Sequence, residues 1–360
     1  MFEEKFVKEA LSNVFDPSTG QDIMTLGLVK QISFDGNNIN LTIHIAQNNS
    51  ELKSDMNFAC IAAIQDVYPN ANVNIHIAVD SSNDKTSPLP QVKNIIVVAS
   101  GKGGVGKSTV SVNIALALKQ LGVSVGLMDA DLYGPSIPTM LGLQGQRPKI
   151  QDLYGKPRIV PLDANGIPVL SIGFLVEPEQ AVVLRGPRLG GIIKQFISDT
   201  NWPVLDYLII DLPPGTGDIQ LTLVQTVPVT GAILVTTPQE VAVVDAVKAM
   251  NMFMLPQVNV PILGVVENMS WFTPAELPDN KYYIFGEGGG ARIAKDANSI
   301  VLGQIPLIQG VREGGDKGTP IVQAGGKSAE IFLEIASKLI LQTEIRNERL
   351  APTQIIQMQQ

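Results

Sequence analysis

Apolar residues recur at helical spacing near the start of the chain. Phe6, Val7, Ala10, Leu11 and Val14 share one face over residues 2–15, and Asp16-Pro17 then ends the run. Further on the period changes to two. Ile39, Leu41, Ile43 and Ile45 alternate with polar neighbours, and Val73, Ile75, Ile77 and Val79 repeat the pattern; each set predicts a strand with one covered face. Residues 56–67 between them fit an amphipathic helix. Residues 1–79 thus read as a small α+β unit. Residues 80–93 (DSSNDKTSPLPQVK) have no periodicity, and their Ser and Pro content predicts a linker.

From Asn94 the texture shifts to uninterrupted apolar runs at 95–99, 123–128, 207–210, 232–235 and 261–266, with a weaker sixth at 300–302. Strands buried on both faces read as continuous, and the spacers are long enough for helices. Residues 94–345 therefore predict an α/β domain, a parallel sheet with helices on both faces. Residues 346–360 are polar and Gln-rich, the composition of a frayed tail.

Of the 360 residues, 45% are hydrophobic and 17% charged. An average soluble domain carries about 25% charge, so this chain is built for large cores and is not disordered. Lys and Arg number 26 against 34 Asp and Glu, a net charge of −8 that repels a nucleic-acid backbone. The longest nearly uncharged stretch, 167–176, is too short to span a bilayer and is broken by Ser171 and Gly173. The terminal RNERLAPTQIIQMQQ is a poor basic amphipathic helix, so neither nucleic acid nor membrane is expected as a partner. The opening residues lack the order of a signal peptide, and one cysteine allows no internal disulfide; a cytoplasmic location is the expectation.

Residues 101–109 read GKGGVGKST, directly after the 95–99 run and at the head of a helical pattern over 108–121. Strand, glycine loop and helix together satisfy G-x-x-x-x-G-K-[ST], a phosphate loop. Gly101, Gly103, Gly104 and Gly106 let the backbone turn its N–H groups inward, and the helix N-terminus adds its positive end. Lys107 is placed to bridge the β- and γ-phosphates of a nucleotide, with the Ser108 hydroxyl on Mg²⁺. Lys102 has two readings: a solvated charge, or a lysine reaching phosphates across a dimer interface.

Three carboxylates close apolar runs. Asp129 and Asp131 (MDADLYGPSIP) follow the second, and Asp211 (YLIIDLPPGTGD) follows the third. Ligands of open parallel sheets sit at the carboxyl ends of strands, where all three fall. Asp211 fits the Mg²⁺-holding role, Asp131 the orientation of attacking water, and Asp129 a place beside the metal; a turn or helix cap is the other reading of Asp129 and Asp131. Gly215 is positioned to offer its N–H to a γ-phosphate.

At these residues the chain resembles the Mrp/ApbC family, the deviant-Walker iron–sulfur cluster carrier ATPases. The likeness extends through DPSTG (16–20), LGLV (26–29), GKGGVGKST, DADLYGPSIP, LRGP (184–187), LIIDLPPGTGDIQLTL, VVENMSWF (265–272), IFGEGGG (284–290) and IPL…VREGGDKGTP (305–320). The resemblance implies an ATP- and Mg²⁺-binding homodimer that hydrolyses ATP and passes iron–sulfur clusters to apoproteins. It implies that Gly101, Lys102, Gly103, Gly104, Val105, Gly106, Lys107, Ser108 and Thr109 hold ATP and that Lys102 acts across the dimer. It further implies that Asp131 and Asp211 serve two switch regions, that Asn268 and Pro306 frame the adenine, and that the N-terminal unit is an iron–sulfur-assembly domain.

One departure bears on cargo. After ENMSWF the family places a CxxC whose thiolates hold a bridging [4Fe–4S] cluster across a dimer, and here the place reads Thr273-Pro274-Ala275-Glu276-Leu277-Pro278. Such a cluster takes four thiolates, a dimer of this chain offers two, and Glu276 and Asp279 are hard oxygen donors. The ligands of a cluster are thus unknown, and a nucleotide-switched adaptor that recruits assembly proteins without carrying one is the alternative function. Cys60 reads as a buried small hydrophobe, with a cluster ligand or an acceptor thiol as the other choice. His44 and His76 read as exposed strand residues or a metal pair if their strands align them. Met250, Met252 and Met254 read as core filling, Trp271 and Phe272 as interface residues, and Arg185 and Arg188 as either phosphate contacts or solvated charges.

Overall fold

The computed structural model describes residues 2–16, 20–45, 50–79, 87–132, 134–153, 156–174, 186–351 and 355. They fall into two compact units, Met1–Thr86 and Ser87–Gln360. Residues 17–19 of the DPSTG motif, 80–86 of the expected linker and Arg185 lie outside the described residues, as do the side chains of His44 and Arg188.

The first unit runs α1 (Glu4–Leu11), β1 (Val29–Asp35), β2 (Asn38–Ile45), α2 (Ser50–Val67) and β3 (Asn72–Val79), with sheet order β1-β2-β3. Helix α1 stops short of the expected length. Ser12 and Asn13 close its last turn onto the carbonyls of Lys8 and Ala10, and Phe15 instead bridges Asp22. Strand β1 was not expected; it pairs antiparallel with β2 through a turn in which Gly36 takes φ +57. Strands β2 and β3 pair in parallel with Thr42 opposite His76 and His44 opposite Ala78, so the histidines are out of register by two positions. Val7, Leu11, Ile39, Ile43, Cys60 and Ile64 fill the core, the inward face that the alternating strands and helical spacing specify.

The second unit contains β4 (Val92–Ala99), α3 (Lys107–Gln120), β5 (Val125–Asp129), α4 (Ile137–Met140), the ribbon β6 (Lys149–Leu153) and β7 (Lys156–Val160), then β8 (Leu162–Ala164) and β9 (Ile167–Ser171). It continues with α5 (Gly186–Asp199), β10 (Leu205–Asp211), α6 (Asp218–Val224), β11 (Gly231–Thr236), α7 (Glu240–Met254), β12 (Ile262–Asn268), α8 (Gly289–Asp296), β13 (Val301–Ile305), α9 (Gln309–Lys317), α10 (Ile321–Ala324) and α11 (Lys327–Arg349). The order in the sheet is β13-β12-β11-β4-β10-β5-β9-β8, all parallel except the edge strand β8. Helices cover both faces. The six apolar runs are β4, β5, β10, β11, β12 and β13; the uncharged stretch at 167–171 is a further parallel strand, β9.

Strand β4 occupies the middle of the sheet, with β10 and β11 on its two sides. Asp211 at the end of β10 is in register with Val98 of β4 and with Asp129 of β5, which gathers the carboxyl ends of three strands beside the glycine loop. Helix α11 continues past Arg346: Asn347 Nδ2 donates to Asn94 Oδ1 at 2.9 Å and Arg346 to the Ala351 carbonyl at 3.0 Å, tying that helix end to β4. Among the described residues, no helix is long and apolar enough to cross a membrane.

Candidate active site

The glycine loop leaves the buried strand β4 at Ser100 and enters α3 at Lys107. Gly104 and Gly106 both take φ +82, a left-handed conformation that other residues adopt only under strain. Gly101 is required for a different reason: a Cβ there would collide with the backbone of Asp245 and Ala246 on α7. No side chain caps α3, which leaves its first N–H groups without an intrahelical partner at the end of the loop. Next to the loop is a cavity of about 230 Å³, bordered by Lys102, Lys107, Ser108, Thr109, Asp131 and Pro214 among others.

Beneath that cavity the charges converge. Lys107 is 6% exposed, and its Nζ lies 2.7 Å from Asp211 Oδ2 and 3.7 Å from Asp131 Oδ2. Ser108 Oγ donates to the same Asp211 oxygen at 2.5 Å, and Ser111 Oγ donates to Asp211 Oδ1 at 2.6 Å. A carboxylate this buried needs such partners, since desolvation of an unpaired charge costs several kcal/mol, by order of magnitude about 5. The hydroxyl of Ser108 and the carboxylate of Asp211 are hard oxygen donors of the type Mg²⁺ takes, meeting beside the loop.

Asp129 is fully buried and committed elsewhere. Its Oδ1 accepts the Asp131 N–H at 3.0 Å, an Asx turn, and its Oδ2 accepts the Ser171 hydroxyl at 2.8 Å. Burial, and next the negative charge of Asp211, raise its carboxyl well above the usual carboxylate range. Of its two sequence readings, the turn is the one these contacts describe. Asp131, whose Oδ1 accepts the Gly134 N–H at 3.3 Å, is the carboxylate that borders the cavity.

Gly215 does not aim its N–H at the cavity. That N–H donates to the Ser100 carbonyl at 2.8 Å, so the expected phosphate contact requires this bond to break. Asn268 ends β12, and its Nδ2 donates to the Val105 carbonyl at 2.8 Å, pinning the glycine loop from the side. Pro306 follows β13, in a segment held by Leu307 N–H to the Trp271 carbonyl at 2.7 Å. Lys102 has its carbonyl bonded by Ser100 Oγ at 3.0 Å, and its side chain makes no ion pair among the described residues.

The segment in the CxxC position is exposed from Ala275 to Ile284, and the mutual backbone bonds of Phe272 and Tyr282, both 2.8 Å, close its base. Lys281 sits 4.1 Å above the Trp271 ring. Cys60 is fully buried in the first unit's core, which pushes its thiol up to about 12. Met250 and Met252 are buried with Phe253, whereas Met254 is exposed. His76 is exposed, and among the described residues no group of three or more His, Cys, Asp or Glu side chains is placed to hold a metal.

Ser111, Ser171 and Gln220 were not anticipated. Ser111 stands one helical turn after Lys107 on the same face, a spacing that pointed to Asp211. Ser171 and Gln220 reach the site from β9 and α6, and no local pattern marks them.

A family model described as an NUBPL iron-transfer P-loop NTPase matches residues 91–340, and one described as an iron-sulfur cluster assembly protein matches residues 4–77. The chain is 44% identical over 339 residues to the iron-sulfur cluster carrier protein of Synechocystis sp., covering 92% of this chain and 96% of that protein. It is 41% identical over 343 residues to the iron-sulfur cluster carrier protein of Haemophilus influenzae, covering 94% and 91%. Among solved structures, the nucleotide-binding protein in complex with ADP from Archaeoglobus fulgidus superposes with a TM-score of 0.58 at 35% identity, covering 68% of this chain and 94% of that one.

Proposed function

The chain belongs to the iron-transfer P-loop NTPases, and from that premise we propose that it is an ATP-hydrolysing homodimer that delivers iron–sulfur clusters to apoproteins. The observation that carries this reading is the convergence of Lys107 and Ser108, at the head of α3, on Asp211 beside the glycine loop.

ATP binds with its β- and γ-phosphates against the N–H groups of residues 101–109, and adenine lies by Asn268 and Pro306. Ser108 and Asp211 are the residues that would hold Mg²⁺, which would neutralise charge on those phosphates. Lys107 exchanges its Asp211 oxygen for phosphate oxygens, and Lys102 of each protomer reaches the partner's nucleotide. Asp131, oriented through its backbone by Asp129, positions a water in line with the γ-phosphorus. The water oxygen forms the new P–O bond, the bond to the ADP oxygen breaks, and the water's proton leaves through the Asp131 carboxylate. Lys107→Ala is expected to abolish ATP turnover; unchanged turnover in that variant would remove the site assignment.

A second reading is favoured by one observation: the segment at 273–278, exposed from Ala275, holds no cysteine, and Cys60 is buried. In it the protein is a nucleotide-switched adaptor that recruits iron–sulfur-assembly partners and carries no cluster. Anaerobic reconstitution with iron and sulfide, followed by metal and sulfide analysis of the gel-filtered protein, separates the two. Near-stoichiometric cluster on wild type supports carriage, and its loss in Cys60→Ser makes Cys60 a ligand. A clean dimer without iron supports the adaptor.

A further inference from the structure

One side chain fixes the turn that follows β10. Gln220, the third residue of α6 and 2% exposed, donates its Nε2 to the carbonyls of Pro213 at 2.9 Å and Gly215 at 3.1 Å. Two acceptors as neighbours set the orientation of the amide, since a flipped group would press its own oxygen against both. Gly215, at φ +92, passes its N–H to the Ser100 carbonyl at 2.8 Å, and Ser100 Oγ donates to the Lys102 carbonyl at 3.0 Å. A continuous run of bonds thus joins Gln220 to the root of the glycine loop.

The same side chain leaves one atom unsatisfied. Gln220 Oε1 is buried and has no hydrogen-bond partner among the described residues. A glutamine at the third helical position ordinarily reaches back to the N–H of the cap residue. Here the cap residue is Gly217, no side chain caps α6, and a Cβ built on Gly217 would sit 3.6 Å from Oε1. The bonds to Pro213 and Gly215 are therefore made while a buried acceptor goes unpaired beside the cap, a cost that the same side chain avoids by reaching back to the Gly217 N–H.

We propose that Gln220 is a positioning residue that holds the 213–215 turn with the Gly215 N–H on Ser100 and off the phosphates, and that this latch sets the preference between a nucleoside triphosphate and a diphosphate. The inference rests on the nucleotide site proposed above. For the Gly215 N–H to meet a terminal phosphate, it must leave Ser100, and the 214–215 peptide must turn against the two carbonyls that Gln220 holds on either side of it. Only a triphosphate supplies the oxygen that offsets those losses, so the latch disfavours the triphosphate and leaves the diphosphate unaffected.

The test uses the full chain, as wild type, Gln220→Ala and Gln220→Met. Methionine keeps the volume and removes both donors. Each protein is titrated, with Mg²⁺ present, with the non-hydrolysable imido analogue of ATP and separately with ADP. Both variants are expected to bind the analogue about tenfold more tightly, with ADP affinity unchanged within about twofold. A purely structural role would move the two affinities together. Thermal unfolding reports whether each variant folds, and Gln220→Met carries the comparison if the alanine variant does not. An unchanged ratio, or an equal shift for both ligands, overturns the latch. A wild type that binds neither nucleotide overturns the site itself, and so is distinguished from failure of the latch.

Discussion

Lys107 Nζ stands 2.7 Å from Asp211 Oδ2, in a pair whose carboxylate is fully buried and whose lysine is 6% exposed. Pairs of this kind add little net stability, because desolvation consumes most of the Coulomb gain, yet breaking one strands the remaining charge. Lys107→Ala is therefore expected to destabilise the nucleotide-free protein by about 3 kcal/mol. Adding Asp211→Asn to that variant should recover most of the loss, since the residual charge disappears; one of the Ser108 and Ser111 hydroxyls keeps an oxygen acceptor and the other turns to accept from the new amide N–H. Chemical denaturation of the two single variants and the double variant checks this; strictly additive losses would show that the two side chains do not depend on each other.

Two glycines of the loop should respond differently to alanine. At Gly101 a Cβ meets the main chain of α7, which has no flexible end to yield, whereas at Gly103 the nearest atom is Pro214 Cγ at 4.0 Å. Gly101→Ala should cost about 2 kcal/mol or more through overpacking and weaken nucleotide binding. Gly103→Ala should leave the unfolding midpoint nearly unchanged. Equal effects of the two substitutions, in thermal unfolding or in nucleotide titration, would contradict the close approach of the loop to α7.

Much of this site could be read before the fold was known, because its parts are local. The strand, glycine loop and helix are contiguous, and the rule that ligands lie at carboxyl ends of parallel strands brings Asp131 and Asp211 to the loop. Strand order is a different matter: β10 lies between β4 and β5, a non-local pairing that no window of sequence encodes. Strand β1 escaped although Asp35-Gly36 before β2 is a hairpin signal, because Lys30 and Gln31 obscure its alternation. A turn at Asp129 was one of its two sequence readings, but nothing local decides between them, since its hydroxyl partner Ser171 comes from β9, 42 residues away.

The turn built on Asp129 makes a kinetic prediction. Its carboxylate holds the backbone of Asp131 and is itself held by Ser171, at 3.0 and 2.8 Å, while Asp131 is the carboxylate that borders the cavity. Asp129→Ala should misplace Asp131 without removing any group from the phosphate loop. Steady-state ATP hydrolysis is expected to show kcat lowered about tenfold or more, and KM changed by less than about threefold. A large rise in KM with kcat preserved would mean that Asp129 serves nucleotide binding instead.

Cys60 gives the pH dependence. Burial in the first unit raises its thiol from 9.0 to about 12, so folded and unfolded chains are both neutral there below pH 9 and the group has no effect. Above pH 9 the unfolded chain releases the proton and the folded one retains it, which favours unfolding by up to about 1.4 kcal/mol per pH unit until the folded thiol also ionises. Stability associated with Cys60 is thus fully present below pH 9 and lost as the pH rises toward 12. Lysines and tyrosines titrate in the same range, so the measurement is the difference between wild type and Cys60→Ala in denaturant unfolding at pH 8, 9 and 10. The gap should shift in favour of the variant as pH rises; a gap independent of pH would mean that the thiol ionises in place. Native protein at pH 8 should also resist iodoacetamide, which attacks the thiolate, and should be labelled only when the first unit opens. Ready labelling of the native state would put this thiol within reach of iron, and would weigh against the adaptor reading by supplying one ligand of the kind that residues 273–278 lack.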